Sequence, residues 1–264
     1  MPANEFDNLV VLVTGGASGV GRTVAESFLG RGASVHVCDA SAANNKDFLR
    51  DNPTATASLC DVGSPDQVSS AFAELASQYD GLHVLVNNAG VAGPAGAAED
   101  LDTDEWDRCI DVNLSGTFYV TRKAIPLLKR QDSGAIINVA SNAGLFGCPH
   151  RSPYVASKWG IIGLTKTWAM ELGPEKIRVN AVCPTSVEGE RIEGVIEQDA
   201  ARRGLTTDEI RDVYQRQSSM RTFVSAEDVA NMVVFLASDG AARISGQAIA
   251  VDGHTETLSN WLDH

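Results

Sequence analysis

The stretch LVVLVTGGASGVG, residues 9–21, limits the fold of this chain more than any other. Five apolar residues lead straight into a glycine-rich turn, and a helical pattern follows over about 20–30. A short apolar run bounded by turn residues reads as a buried strand, and glycines let the chain pass tightly into a helix. Gly15, Gly19 and Gly21 space as GxxxGxG, which differs from the GxGxxG dinucleotide fingerprint. The physical logic is the same: a backbone without side chains lets a pyrophosphate approach, and the helix N-terminus stabilises its charge. Gly15, Ser18, Gly19, Val20 and Gly21 are therefore candidate cofactor-binding residues.

The alternation continues. Strands are expected within 33–40 (ASVHVCDA), 56–63 (TASLCDVG), 83–90 (HVLVNNAG), 134–141 (GAIINVAS), 177–184 (IRVNAVCP) and 247–254 (QAIAVDGH). A helix is predicted over 64–79, with Ser64 as N-cap and Pro65 in its first turn. Others are predicted over about 104–130, bent near Pro126, from Tyr154 to about Leu172, and over 226–238 behind a Ser225 cap. Residues 188–220 are polar and helical. About seven strands separated by helices imply an α/β protein with a doubly wound parallel sheet and helices on both faces. With no linker or repeat in sight, residues 1–264 read as one domain.

Asp39 ends the second strand, downstream of Gly21. Its distance along the chain is close to the ~20-residue offset at which an acidic residue meets the ribose hydroxyls of a dinucleotide. Asp61, followed by Val62, either faces the adenine or caps a turn.

The formal charge of −13 comes with no basic stripe, which excludes nucleic acid and disfavours anionic membranes. The five cysteines are scattered without a CxxC, and the five histidines lack ligand spacing, so no metal site is expected. Free thiols suit a reducing compartment. MPANEFDNLV has no apolar signal core and no run reaches the ~18 residues of a membrane span, so a cytoplasmic protein is expected.

In YVASK, Tyr154 and Lys158 stand four apart and share one helix face. An ordinary amphipathic helix start explains that pair in isolation; the remaining motifs decide against it. TGGASGVG resembles the TGxxxGxG loop of the short-chain dehydrogenase/reductase family, NNAG (87–90) its motif after the fourth strand, and YVASK its YxxxK signature. Asn113 in DVNLSGTF and Ser141 in NVAS fall where that family has its other two catalytic positions. The match runs from about residue 8 to 254, and the fold it implies is a Rossmann-like sheet.

The resemblance implies an oxidoreductase using NAD, with Asn113, Ser141, Tyr154 and Lys158 catalytic. Tyr154 is the acid/base, Ser141 polarises the substrate oxygen, and Asn113 holds a water linking Lys158 to solvent. Moving a phenol from about 10 towards 7 requires roughly 4 kcal/mol. One cation about 4 Å away at an effective dielectric near 20 supplies about that much. Asn87 would stabilise the central sheet and border the cofactor; Ala89 and Gly90 would also border it, as would Tyr154, Lys158, Pro184 and Val187. One departure stands out: PTSVEG (184–189) lacks the glycine and final threonine of the family's PGxxxT, so Thr185 or Ser186 is a candidate substitute.

Residues 188–220 occupy the place of the family's substrate lid. They carry Arg191, Arg202, Arg203, Arg211 and Arg216, with Arg221 just beyond, among eight acidic residues. Most of these arginines read as a solvated mixed-charge surface; Arg191 or a neighbour is the candidate for meeting a carboxylate or a hydroxyl-rich substrate. His150 either lines the pocket or is a loop residue. The expected substrate is a small polar secondary alcohol: a sugar, polyol or hydroxy acid. The alternatives are a 3-oxoacyl-thioester reductase, for which an acidic surface suits an acidic carrier poorly, and a non-catalytic NAD-binding regulator. The family also implies a homotetramer built on the helices at 104–130 and 154–172.

Overall fold

Seven short runs rich in Val, Ile and Leu form the strands β1 (Val10–Thr14), β2 (Ser34–Asp39), β3 (Thr56–Leu59), β4 (Val84–Asn87), β5 (Gly134–Val139), β6 (Ile177–Pro184) and β7 (Ala248–Val251). The computed structural model describes residues 5–258, so the first four residues of the N-terminal stretch read above lie outside it. All ladders are parallel, in the order β3-β2-β1-β4-β5-β6-β7. The helices are α1 (Gly19–Leu29), α2 (Ala42–Asp51), α3 (Pro65–Gln78), α4 (Thr103–Ile110), α5 (Gly116–Leu128), α6 (Ser152–Leu172), α7 (Glu190–Arg203), α8 (Thr207–Arg216) and α9 (Ala226–Ala237).

Successive side chains on a strand point to opposite faces. Val11 and Val13 therefore join Val24 and Phe28 of α1 and Val229 and Val233 of α9 in one apolar layer. Leu12, between them, joins Val68 and Leu75 of α3 and Val120 and Ala124 of α5 in the other. Each large side chain buried this way contributes roughly 1.5–3 kcal/mol. With both faces covered, the central strand β1 is apolar from Val10 to Val13 rather than alternating.

The chain leaves β1 on one side for β2 and β3, then returns to add β4 on the other. Such a switch opens a crevice beyond the carboxyl ends of the strands. Thr14, Asp39, Asn87, Val139 and Pro184 end five strands at that edge.

Two features depart from the sequence reading. Helix α2 was not expected; it is polar and buries only Asn45 and Phe48. Ser41 caps it, the hydroxyl accepting from Asn44 N at 3.2 Å. The helix expected over 104–130 is interrupted not at Pro126, which α5 accommodates, but by a π-helical turn at Asp111–Ser115. The 188–220 segment forms two helices, α7 and α8, around a small core of Ile192, Ile196, Ala200, Ile210 and Phe223. The expected caps at Ser64 and Ser225 are present, the latter as a reciprocal capping box with Asp228.

Candidate active site

Gly15 and Gly19 hold φ of +57° and +51°, which suits residues without a Cβ. Gly21 is confined by contact instead: a Cβ there would lie 2.0 Å from the Gly15 carbonyl and 2.4 Å from Asn88 Nδ2. A Cβ on Gly19 would meet nothing within 4 Å, because that side opens into a cleft. Ser18 precedes α1 in extended conformation and makes no side-chain cap. The first-turn N–H groups of α1 are thus left for a ligand. The loop is tied to the end of β4 by Asn88, whose Nδ2 donates to the carbonyls of Thr14 (3.0 Å) and Gly15 (3.1 Å). Thr14 Oγ1 accepts from the N–H groups of Asn88 (3.0 Å) and Ala89 (3.1 Å).

The cleft, about 930 Å³, runs from Asp39, Asn44 and Asp47 at one end to Tyr154 and the lid helices at the other. Asp39 Oδ2 accepts from Ala17 N (3.3 Å) and Oδ1 from Ser41 N (3.0 Å). One carboxylate thus fixes the glycine loop and the entry to α2, with lone pairs left over for a ligand. The cations at this end are committed: Arg22 to Glu26 (2.7 Å) and Asp51 (2.8 Å), Arg108 to Asp61 (2.7 Å). Of the two readings of Asp61, the turn is realised, since its Oδ1 accepts from Gly63 N at 3.0 Å while the residue and Val62 still line the cleft.

At the other end, Pro153 in the first turn of α6 starts the helix that carries Tyr154 and Lys158. Lys158 is buried and its Nζ donates to Val139 O at 3.0 Å, 5.5 Å from the centre of the Tyr154 ring. Two guanidiniums join it around that ring, Arg151 at 5.3 Å and Arg191 at 5.9 Å. Burial works to raise the Tyr154 pKa, but Lys158, then Arg191, the Ser141 hydroxyl and Arg151 outweigh it, and the phenol lies below its ordinary 10. Burial also pulls the Lys158 ammonium down, against the pull of Tyr154. Ser141 ends the chain segment after β5, its Oγ accepting from Ala143 N at 3.1 Å.

Gly15, Ser18, Gly19, Val20, Gly21, Asp39, Ala89, Gly90, Pro184 and Val187 line this one cleft together with Ser141, Tyr154 and Lys158. Two expected residues do not. Asn87 takes the sheet-stabilising part of its expected role, donating to Thr121 Oγ1 (2.9 Å) and Asn138 Oδ1 (2.8 Å), while its neighbour Asn88 stands on the cleft wall. Asn113 is fully buried in the π-turn. Its side chain is committed to protein: it clasps Val91 N (2.8 Å) and O (3.1 Å) and donates to Ser157 Oγ (3.1 Å). His150 is exposed and absent from the lining, whereas the next residue, Arg151, faces the cleft.

In the altered 184–189 loop, Thr185 Oγ1 accepts from Asn142 Nδ2 at 3.0 Å, and Thr185, Ser186 and Val187 all line the cleft. Among the lid arginines, Arg202 and Arg203 pair with Asp199, Arg211 with Glu193 and Arg216 with Asp212. They form the mixed-charge surface; Arg191 is the one turned into the cleft. Arg151 belongs to no motif or spacing pattern in the sequence, and NNAG contains Asn88 without distinguishing it from Asn87.

A family model described as "Enoyl-(Acyl carrier protein) reductase" matches residues 15–254. The chain belongs to the short-chain dehydrogenase/reductase family. It is similar to D-beta-hydroxybutyrate dehydrogenase of Rhizobium meliloti, 35% identical over 92% of this chain and 96% of that protein. The 3-oxoacyl-(acyl-carrier-protein) reductase FabG of Thermotoga maritima is also 35% identical, over 94% of this chain and 98% of its own. Among solved structures, an NAD+-bound xylitol dehydrogenase superimposes with a TM-score of 0.90 at 26% identity, over 94% of this chain and 99% of that one. Like these short-chain dehydrogenases/reductases, the chain is an oxidoreductase of the alcohol–ketone type with a site for a nicotinamide cofactor.

Proposed function

We propose that this protein is an NAD-dependent oxidoreductase interconverting a secondary alcohol and a ketone on a small polar substrate. The observation that carries the reading is that Tyr154, Lys158 and Ser141 line one end of the cleft whose other end is built by the glycine loop and Asp39. A nicotinamide cofactor held by the glycine loop, Asp39, Ala89, Gly90 and Val187 supplies the hydride acceptor for oxidation and the donor for reduction.

The chain's own residues move the proton. In oxidation, the phenolate of Tyr154 takes the hydroxyl proton as the C=O bond forms and the carbinol hydrogen departs as hydride. In reduction, the phenol returns it. Lys158 favours the phenolate form, bringing the phenol below its ordinary pKa, and the Ser141 hydroxyl orients the substrate oxygen. Asn113 serves as a positioning residue: by clasping Val91 it fixes Gly90, and a Cβ on Gly90 would lie 3.7 Å from Lys158 Nζ. Phe118, Trp159 and Met170, exposed on α5 and α6, support self-association as a homotetramer.

NAD is expected over NADP by at least tenfold in kcat/KM. A 2′-phosphate beside Asp39 and Asp47 brings like charges together in a site whose nearby cations are already paired. Like charges across a binding site cost several kcal/mol, and a difference of about 1.4 kcal/mol is already tenfold. The test is kcat/KM with each cofactor over a panel of sugars, polyols and hydroxy acids, repeated in Asp39→Ala. Equal use of both cofactors by the wild type, or no gain for NADP in the variant, overturns the role of Asp39. The thioester-reductase reading draws on the similarity to FabG; the charge of −13 disfavours docking an acidic carrier.

A further inference from the structure

We propose that Arg151 and Arg191 form an anion subsite beside Tyr154, so that the substrate is a hydroxy acid in one direction and an oxo acid in the other. This rests on the oxidoreductase reading above and names its substrate class. The two guanidiniums reach the site from different elements. Arg151 ends the loop before α6 and is fixed by donating from Nη2 to Ala92 O at 2.9 Å. Arg191 stands in the first turn of α7 and donates from Nη1 to Gly90 O at 3.4 Å. Both carbonyls belong to the loop after β4, so the fork of each side chain is held with N–H groups to spare.

Neither arginine makes an ion pair among the described residues, although Glu188 and Glu190 line the same cleft. Two guanidiniums stand against the Tyr154 ring, with Lys158 a third cation there, so positive charge gathers at this end of the cleft. The backbone also invests in the placement. His150, immediately before Arg151, holds φ of +62°, a conformation that costs a non-glycine residue energy. Its carbonyl is pinned by Gly96 N at 3.0 Å.

Geometry then restricts the ligand. The carbinol oxygen must sit at the Tyr154 hydroxyl and Ser141, and the two guanidiniums lie 5.3 and 5.9 Å from the centre of that ring, so a short chain joins the anion to the reacting carbon. A carboxylate fits the planar forks bidentately. Its single charge also suits a wall that already holds Glu188 and Glu190, which a dianionic phosphate does not.

The test compares four-carbon 2- and 3-hydroxy acids with the amides of the same acids, using NAD and the wild-type, Arg151→Met, Arg191→Met and Arg191→Lys proteins. The wild type is expected to prefer acids by about 10²-fold in kcat/KM, the difference lying in KM. Each Met variant should cut that preference below about tenfold, with melting temperature unchanged and KM for NAD within about twofold; Arg191→Lys should keep part of it. Equal use of acid and amide by the wild type overturns the subsite. So does an Arg191→Met protein whose KM for NAD rises as much as that for the acid, which assigns that guanidinium to the cofactor. Turnover of polyols or sugars but not acids sinks the subsite and leaves the oxidoreductase reading intact. If no alcohol in the panel is oxidised, melting in NAD with butyrate against butyramide decides the subsite alone. A shift with butyrate that both Met variants lose supports it, and no shift overturns it.

Discussion

Tyr154→Phe lowers kcat by 10²–10⁴-fold while KM for NAD and the melting temperature stay near wild type. The ring remains, and with it the packing against Arg151, Lys158 and Arg191. Only the hydroxyl that carries the proton is removed, and a positioned acid/base typically contributes 10²–10⁴-fold. Lys158 keeps its hydrogen bond to Val139 O and is not left without a partner. Steady-state kinetics and a thermal melt on the purified variant check both halves of the expectation. A Phe variant with more than a tenth of wild-type kcat contradicts the role given to Tyr154.

The glycine loop offers a second large effect, because two of its glycines are small for different reasons. At Gly21 an added Cβ strikes the Gly15 carbonyl and the Asn88 amide, both of which hold the loop against β4. Gly21→Ala is therefore expected to destabilise the protein by about 1–3 kcal/mol, the usual range for overpacking, and to raise the Kd for NAD. At Gly19 the added Cβ meets no protein atom, and only the left-handed backbone resists, at about 1–2 kcal/mol. Its open side faces the cleft, so Gly19→Ala should raise the Kd for NAD by at least tenfold for that smaller loss of stability. Denaturant melts with NAD titrations separate the two. A Gly19→Ala protein that binds NAD as the wild type does would show that the ligand does not pass there.

Much of this is legible in the sequence. The parallel sheet followed from apolar runs spaced by helices, and the cleft from glycines standing between the first strand and the first helix. Elements without an apolar signature escaped. Helix α2 buries so little that tertiary position, not pattern, keeps it. The π-turn at Asp111–Ser115 carries no glycine or proline, while Pro126, the visible breaker, sits within α5 without interrupting it. The end of β4 separates neighbours: Asn87, its last residue, faces the sheet interior, and Asn88, just past it, lines the cleft. A motif names both and cannot say which faces the ligand. Arg151 illustrates the limit of spacing arguments, because its partner Arg191 lies beyond the whole of α6 and β6, on another element.

The central claim is that Lys158 and its neighbours bring the Tyr154 phenol below its ordinary range, so that it serves as the proton carrier. The direct measurement is the pH dependence of kcat/KM for alcohol oxidation. The base must be deprotonated, so the rate rises with pH through the Tyr154 ionisation and levels above it. The expected limb lies below the ordinary phenol value of 10. It moves upward in Lys158→Met, which removes the largest of the charges that lower it. A limb at or above 10 in the wild type, or one that stays in place when Lys158 is removed, contradicts the account.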